Sequence, residues 1–404
     1  MYMAQAEIIS DVIEEHFDEA AFLYQSRLQA LASHRIGLSA FRRIEQRLLA
    51  HLDGLLVGGE MAWRLVEPNL QGPTRAAVAI AAYVACALGE DPYIEQLYAV
   101  LRDAPSPIFC GVRDALRHTG SHDAVDSLSR WLYAAHPSLR AAAVDALSFR
   151  RAEIPLNVLT ELLADHSELV RQSAAQAVGR LRLRSLTPRL RELFDDKESA
   201  VRDSALEAAA LVGEPSVGER CKRLAVSGDQ SAGLAFTLLG RLGEASAVSE
   251  VFAPELAKVE PLREAVLALG PLGDAQALPL LLPLAEKRTY AGLVTVVTER
   301  LLGVDLVARK IAAPPPPPQD PRDELDEISV EGLPICEPRK LAELLTAECA
   351  RLPKSRLCLG TAYGPEPLTQ LISQGPMAQR TSAAFELALQ RPEAPYQEMH
   401  QLGL

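Results

Sequence analysis

Histidines and carboxylates at helical spacing are the residues of this chain that could do chemistry. His16 and Glu19 form a His-x-x-Glu pair, and His118 lies four residues before His122. Either pair could hold a metal ion only as part of a larger set, since a di-iron bundle needs two such motifs and two further carboxylates. A second His-x-x-Glu motif of that kind is missing, and Gly120 favours a turn between the other two histidines. We therefore predict no metal and no cofactor, and interpret both pairs as surface residues.

Motifs for covalent catalysis and nucleotide binding are missing as well. The sequence has no Gly-x-Ser-x-Gly, no P-loop and no dinucleotide fingerprint. The glycine pair Gly58-Gly59 is not followed by the Lys and Ser or Thr that phosphate binding requires. We therefore predict a protein without enzymatic activity.

Arginine and aspartate recur at a fixed interval in the centre of the chain. Arg140, Arg171 and Arg202 are 31 residues apart, and Asp165 and Asp196 each lie six residues before one of them. A period of about 20–50 residues indicates an array of repeats.

The elements that must position these residues follow the same period. Around Arg171, the apolar positions Val170, Ala174, Ala177, Val178 and Leu181 have the spacing of one buried helix stripe. Steps of 31 residues give matching stripes from residue 77 to residue 243, and a 30-residue step extends them to Gly273. A second helix precedes each stripe, for example at residues 155–164, 188–195 and 278–286. Two short helices bury their faces only by stacking on neighbours, which predicts an α-solenoid.

The segments 165–179 and 196–205 resemble HEAT repeats, which carry an aspartate in the turn between two helices and an arginine six residues later. The resemblance implies that Asp165 with Arg171, and Asp196 with Arg202, form a ladder in which each aspartate meets an arginine of its own or of the neighbouring repeat. It also implies that the second helix of each pair lines a concave groove. Two enzymatic alternatives exist among HEAT-like proteins, a DNA-alkylation glycosylase and a lyase that attaches a small molecule.

The position two residues after the second apolar site of each stripe is expected to point away from the core and into this groove. At 31-residue steps it is occupied by Tyr83, Asp114, Asp145, Gln176, Glu207 and Leu238. The row contains carboxylates and no basic residue, so it predicts a protein partner with a basic face.

The two ends of the chain have a narrower resemblance. The segments 14–23, 43–55 and 379–389 are similar to an uncharacterised proteobacterial family of HEAT-repeat proteins. Some members of that family are encoded near type VI secretion genes. The resemblance implies an adaptor or accessory scaffold in that context, and it implies no catalytic residue.

Composition limits the remaining possibilities. The chain is 48% apolar and 5% aromatic with a net charge of −12, which suits small-residue helix packing and disfavours a grip on nucleic-acid phosphates. The same charge, with only Trp63 and Trp131 to hold a base, argues against a glycosylase. No apolar run is long enough to cross a bilayer, no secretory signal is recognisable and the cysteines are scattered, so we expect a cytoplasmic protein without a membrane or nucleic-acid partner.

The predicted fold is therefore all-α, with four segments. Residues 1–66 form a helical N-terminal cap, and residues 67–304 form the solenoid of HEAT-like helix pairs. Residues 305–327 contain five consecutive prolines and read as a stiff acidic linker. Residues 328–404 form a small C-terminal helical domain with a degenerate repeat.

Overall fold

The computed structural model describes residues 2–102, 104–118, 122–315, 332–349, 351–353, 355–391 and 393–402. In the first half of the chain the helices are α1 (Tyr2–Leu31), α2 (Leu38–Val57), α3 (Gly59–Val66), α4 (Arg75–Leu88), α5 (Asp91–Leu101), α6 (Ser106–His118), α7 (His122–Trp131), α8 (Pro137–Phe149), α9 (Leu156–Leu163), α10 (Glu168–Leu181) and α11 (Thr187–Glu192). The later helices are α12 (Ser199–Val212), α13 (Val217–Ser227), α14 (Ala232–Leu242), α15 (Ala253–Leu256), α16 (Arg263–Leu272), α17 (Leu282–Ala285), α18 (Arg288–Leu302), α19 (Pro338–Cys349), α20 (Pro365–Gln374) and α21 (Met377–Gln390).

Short strands and turns connect these helices. The strand β1 (Ala312–Ala313) pairs antiparallel with β2 (Ile335–Cys336), and β3 (Leu357–Cys358) pairs antiparallel with β4 (Thr361–Ala362). Single 3-10 or π turns precede or follow several of the shorter helices. They span Glu67–Gln71, Arg184–Leu186, Leu193–Asp195, Val248–Phe252 and Ala275–Leu281.

The apolar stripes of the sequence lie on alternate helices, which we call the stripe helices: α4, α6, α8, α10, α12, α14, α16 and α18. Val170, Ala174, Ala177 and Val178 on α10 are all fully buried, as the period predicts. The alanines matter because small side chains let helix axes approach closely. The solenoid of stacked helix pairs is thereby confirmed.

The helices between the stripe helices, which we call the flanking helices, are shorter than the sequence suggests. Residues 155–164 form α9 as expected, but residues 278–286 form a 3-10 turn followed by the single helical turn of α17. Pro279 and Pro283 explain the difference. Each lacks an N–H and cannot continue the hydrogen-bond ladder of an α-helix.

The helices form two compact units. The first unit contains residues 1–29, 39–208 and 400–404, and the second contains residues 30–38 and 209–399. In the first unit α4, α6, α8 and α10 pack in sequence order, with α5, α7 and α9 on their flank. In the second unit α14, α16 and α18 pack in order, with α13, α15 and α17 on their flank.

These units divide the chain differently from the four predicted segments. The described part of residues 328–399 belongs with residues 209–315 in the second unit, because α19 packs on α17 and α21 packs on α14 and α16. Residues 305–315 are the described part of the predicted linker. Near their end, Ala313 pairs with Ile335 of the strand β2. Residues 316–331, which include most of the polyproline run, lie outside the described residues.

Helix ends in the second unit are closed by glycines in the left-handed conformation. Gly273 and Gly303 end α16 and α18 with φ of +69° and +66°. A Cβ at Gly303 would lie 2.5 Å from the carbonyl oxygen of Leu359, because the strand after Arg356 crosses directly over these helix ends. The amide N–H of Leu357 donates to the backbone carbonyl oxygen of Gly273, and that of Leu359 donates to the backbone carbonyl oxygen of Arg300. The missing side chains therefore make room for this strand.

Within the described ranges, no helix combines the length and the apolar character that a bilayer crossing requires.

Gly303→Ala is expected to lower the free energy of unfolding more than Gly213→Ala. Both glycines have positive φ, which costs about 1–2 kcal/mol for a residue with a Cβ. Only Gly303 would also force a collision with backbone, while a Cβ at Gly213 meets nothing within 4 Å. Urea unfolding of the two variants measures the difference. Equal losses would contradict close packing of the strand on the helix ends.

Candidate functional site

Arginines of the repeats bridge successive helix pairs in the first unit. Arg140 pairs with Asp165 at 2.7 Å, and Arg171 pairs with Asp196 at 2.7 Å, each through two guanidinium nitrogens. Each aspartate belongs to the repeat that follows. Of the two arrangements that the HEAT resemblance left open, the side-chain pairs therefore use the neighbouring repeat.

The same guanidinium groups also close the turn of their own repeat. Nη1 of Arg171 donates to the carbonyl oxygens of Asp165 and His166. Nη1 of Arg202 donates in the same way to Asp196 and Lys197. One arginine thus ties its own turn to the next one. Arg140 belongs to this ladder although the predicted set omitted it, and its place in the 31-residue register is the signal that identifies it.

The predicted row of groove residues is placed differently from the expectation. Asp114 is 2% exposed and Asp145 is fully buried, so neither points away from the core. Tyr83, Gln176 and Glu207 are partly exposed, and the amide of Gln176 donates to the Ser204 hydroxyl. The prediction of an exposed acidic row is wrong at its two aspartates.

Arginines of neighbouring stripe helices neutralise these aspartates, and the predicted row of groove residues did not include them. Nε of Arg75 lies 2.6 Å from Asp114, while Asp145 is held between Arg117 at 2.6 Å and Arg180 at 2.7 Å. These arginines lie 28 to 39 residues away in sequence. They come from the helices before and after, so a count of charges along one helix face could not reveal them.

The surrounding guanidinium groups keep both carboxylates ionised. Burial alone would raise the pKa of Asp145, but the charges of Arg117 and Arg180 and the hydrogen bond from Arg117 hold it far below the usual range. The pKa of Asp114 is also lowered, against burial, mainly by Arg113 and by the hydrogen bond from Arg75. Four arginines face two carboxylates here, so this face has no excess of negative charge for a basic partner.

The chain's own N-terminal helices cover part of this face. Tyr24 of α1 and Leu48 of α2 border a small void together with Tyr83 and Asp114. Burial and the charge of Asp114 raise the pKa of the Tyr24 phenol. Residues 1–66 were predicted to form an N-terminal cap, and within the first unit Tyr24 of α1 and Leu48 of α2 lie beside residues of α4 and α6.

The last described residues of the chain contribute to the same cover. Arg27 of α1 pairs with Glu45 at 2.8 Å, both almost fully buried, and its Nη2 donates to the carbonyl oxygens of His400 and Gln401. The amide of Leu402 donates to Nδ1 of His118. Burial and the nearby Arg27 lower the pKa of His118 to about 3, so the ring is neutral and accepts this bond.

The other histidine motif of the sequence also has a structural role. Nδ1 of His16 lies 3.0 Å from Nδ1 of His51, and the ring of His16 occupies the space beside Gly54. Among the described residues, no group of three or more His, Cys, Asp or Glu side chains could hold a metal ion.

An open cleft of about 400 Å³ lies between the flanking helices α5 and α7 of the first unit. The rings of Tyr98 and Trp131 meet edge to face in its wall, with centroids 6.0 Å apart. Asp91 and Glu95 line the same cleft and are exposed. The partly exposed ring of Tyr98 beside two exposed carboxylates is suited to bind a cation, whereas Trp131 is only 7% exposed and packs against that ring. No motif in the sequence indicated this cleft, and Trp131 was considered there only as a residue that could hold a base in a glycosylase.

Comparison with known proteins agrees with the repeat geometry. The HEAT-repeat family model matches residues 94–179 and 156–231. This part of the chain consists of HEAT repeats. No curated protein matches the chain.

Some solved structures have a partial likeness to this chain. YibA of Escherichia coli is 19% identical over 63% of this chain and 86% of its own, with a TM-score of 0.36. The complex of CpcE and CpcF of phycocyanin lyase from a Nostoc species is 20% identical over 59% and 92%, with a TM-score of 0.33. An engineered protein is 12% identical over 95% and 99%, with a TM-score of 0.32.

Arg171→Ala is expected to lower the free energy of unfolding by about 1–3 kcal/mol, because the largely buried carboxylate of Asp196 loses its partner. Arg202→Ala is expected to act in the same direction through the turn of its own HEAT repeat. Arg189→Ala, which breaks an exposed pair with Glu192, is the control and should cost less than about 1 kcal/mol. Urea unfolding measures all three. A loss for Arg171→Ala no larger than the control would contradict the ladder.

Asp145→Asn is expected to lower the free energy of unfolding at neutral pH. It is also expected to make that free energy depend less on pH in the acidic range. The pKa of Asp145 is lower in the folded state than in the unfolded state, so its contribution is complete above the unfolded value and is lost as pH falls below about 4. Urea unfolding at about pH 6 and about pH 3 measures this. Equal pH dependence in wild type and variant would contradict the buried charge cluster.

Proposed function

We propose that this chain is a non-enzymatic protein-binding scaffold, and that its partner presents a basic segment to the cleft between α5 and α7. The cleft with Tyr98, Trp131, Asp91 and Glu95 is the observation that carries the proposal. Repeats of stacked helix pairs offer an extended surface, which is the usual use of such arrays in binding.

The location of the cleft follows from what the stripe helices already contact. In the first unit, α1, α2 and the residues near 400 occupy the faces of α4 and α6. The carboxylates of that face are paired with arginines of the same unit. A partner with a basic face would find little unpaired negative charge there. The described residues that line the cleft lie between 91 and 98 and between 127 and 134, and none of them belongs to α1, α2 or the segment near residue 400.

The chemistry of the cleft favours lysine or arginine. A cation over the face of a tyrosine ring such as Tyr98 gains about 0.5–1 kcal/mol at an exposed site and about 2 kcal/mol or more where water is excluded. Asp91 and Glu95 add Coulombic attraction, which raises the association rate and falls with salt. Arg130 also lines the cleft and donates to the Ser127 hydroxyl at 3.0 Å, so the cleft itself holds two carboxylates and one guanidinium.

The resemblance of the two ends to a proteobacterial family supports a narrower context. Some members of that family are encoded near type VI secretion genes. We therefore propose that components of that system are the first candidates for the partner, with this chain as an adaptor or accessory protein.

The test begins with a peptide-display selection on the immobilised full chain. Selected peptides should be rich in Lys and Arg, because only a cation uses both the aromatic rings and the carboxylates of the cleft. Their affinity should fall by about tenfold or more, or about 1.4 kcal/mol, in the double variant Asp91→Lys and Glu95→Lys. It should also fall in Tyr98→Leu.

The matched control is the double variant Glu153→Lys and Glu161→Lys. Both glutamates are exposed and lie away from the cleft, so the net charge changes equally while the cleft stays intact. Unchanged binding in the control is expected. Peptides without basic residues, or equal losses in both double variants, would contradict the proposal.

A further inference from the structure

A cavity of about 220 Å³ lies in the second unit, where α21 packs against α14 and α16. The stripe helix α18 and the turn that carries His34 complete its wall. These segments are far apart in sequence, so no motif indicated the cavity. It is distinct from the cleft described above, which belongs to the first unit.

Two polar atoms at this cavity are buried without a hydrogen-bond partner. The side chain of Arg300 is 4% exposed, and its Nη2 donates to Oε1 of Glu386 at 2.6 Å, while its Nε has no partner. Nδ1 of His34 has no partner either. A buried polar group left unpaired costs about 1–3 kcal/mol, so native proteins pair such groups with protein, water or ligand.

Positive charge exceeds negative charge around the cavity. Arg241 and Arg300 line it, and Arg356 donates to the carbonyl oxygens of Gly240 and Pro271 at its edge. Glu386 is the fully buried carboxylate that faces them, and its Oε2 lies 3.6 Å from Arg356.

The pKa values of two groups near the cavity are lowered, as expected in a desolvated and positively charged environment. Burial, followed by the charges of Arg300 and Arg263, lowers the pKa of His34 to about 4. Burial likewise lowers the pKa of Arg356. With a pKa of about 4 His34 is neutral near neutral pH, so the desolvated positive charge at this cavity lies on the guanidinium groups, and an anion would stabilise that charge. Glu264 also lines the cavity but is exposed, so solvent screens its charge.

Part of the cavity wall is apolar. Leu267, Val296 and Val297 belong to it, and both valines are buried. A volume of 220 Å³ equals about seven water molecules at about 30 Å³ each. That space exceeds what a single ion needs and suits a small organic molecule, one end of which meets guanidinium groups and the other aliphatic side chains.

We propose that this cavity is a binding site for a small organic carboxylate. Its carboxylate pairs with Arg300 and accepts a hydrogen bond from His34, while its body lies against Leu267, Val296 and Val297. The arginine of α18 and the helix α21 are already joined by the pair with Glu386. Ala378, Gln379 and Ser382 of α21 also line the cavity, so a bound acid contacts this helix as well and stabilises its docking.

The probes are benzoate and hexanoate, each compared with its uncharged amide. Ligand-observed NMR on the full chain is expected to detect both acids at millimolar concentration. Thermal unfolding is expected to shift upward with the acids, since a ligand that binds only the folded state stabilises it. Benzamide and hexanamide keep the size and shape but lack the charge, and they are expected to give neither effect.

Ala378→Leu and Thr237→Leu locate the site, because each adds volume to the cavity wall and removes neither member of the Arg300 and Glu386 pair. Each is expected to weaken benzoate binding by about tenfold or more. Thr381→Leu on the same helix α21 lies off the cavity wall and is expected to bind like wild type. Circular dichroism identifies a variant that fails to fold. If either Ala378→Leu or Thr237→Leu does so, benzoate binding by the other variant tests the location of the site.

Arg300→Lys tests the role of the guanidinium. It keeps the charge opposite Glu386 but removes Nε, so weaker binding with retained folding is expected. Failure of wild type to bind either acid would overturn the proposal. So would equal binding of acids and amides, equal binding of inorganic phosphate, or unchanged binding in both filled-cavity variants.

Discussion

Buried pairs of guanidinium and carboxylate groups hold together helices that are far apart in this sequence. Arg171 with Asp196 joins successive repeats in the first unit, and Arg300 with Glu386 joins α18 to the C-terminal helix in the second. Such pairs gain little over a well-packed apolar contact, yet losing one member leaves an uncompensated charge. The cost is about 1–3 kcal/mol for the partly exposed pair of Arg171 and Asp196, and about 3–5 kcal/mol for a fully buried pair such as Arg300 and Glu386. They therefore specify which helices meet, while the alanine-rich stripes supply most of the burial.

These pairs also explain why the chain covers its own stripe helices. In the first unit Arg27 is paired with Glu45 and donates to two carbonyl groups near residue 400. In the second unit Arg356 reaches carbonyl groups at the ends of α14 and α16. The backbone carbonyls at a helix C-terminus lack intrahelical donors, so an arginine from a distant segment satisfies them. The terminal segments are thus part of each compact unit.

The consequence for function is a separation of surfaces. In the first unit α1 and α2 lie beside α4 and α6, and in the second unit α21 packs on α14 and α16, so a partner would have to use other surfaces. The first unit has aromatic rings beside exposed carboxylates, which suits a cation. The second has a partly apolar cavity with an excess of arginine, which suits an anion of limited size. The two proposed sites would bind ligands of opposite charge, so they would not compete for the same ligand.

The sequence by itself determined the repeat period, the stripe helices and the aspartate-to-arginine register, because each of these is a regular spacing of residue types along the chain. It also predicted helices in residues 328–404, but it did not predict the strand pairs β1–β2 and β3–β4. The environment of Asp114 and Asp145 was decided only by the tertiary structure. Their position on a helix is a local property, whereas their partners lie 28 to 39 residues away and α1 covers one of them. The cavity at Arg300 is likewise tertiary, since its partner Glu386 lies 86 residues further along the chain and the intervening segment must fold back to bring them together.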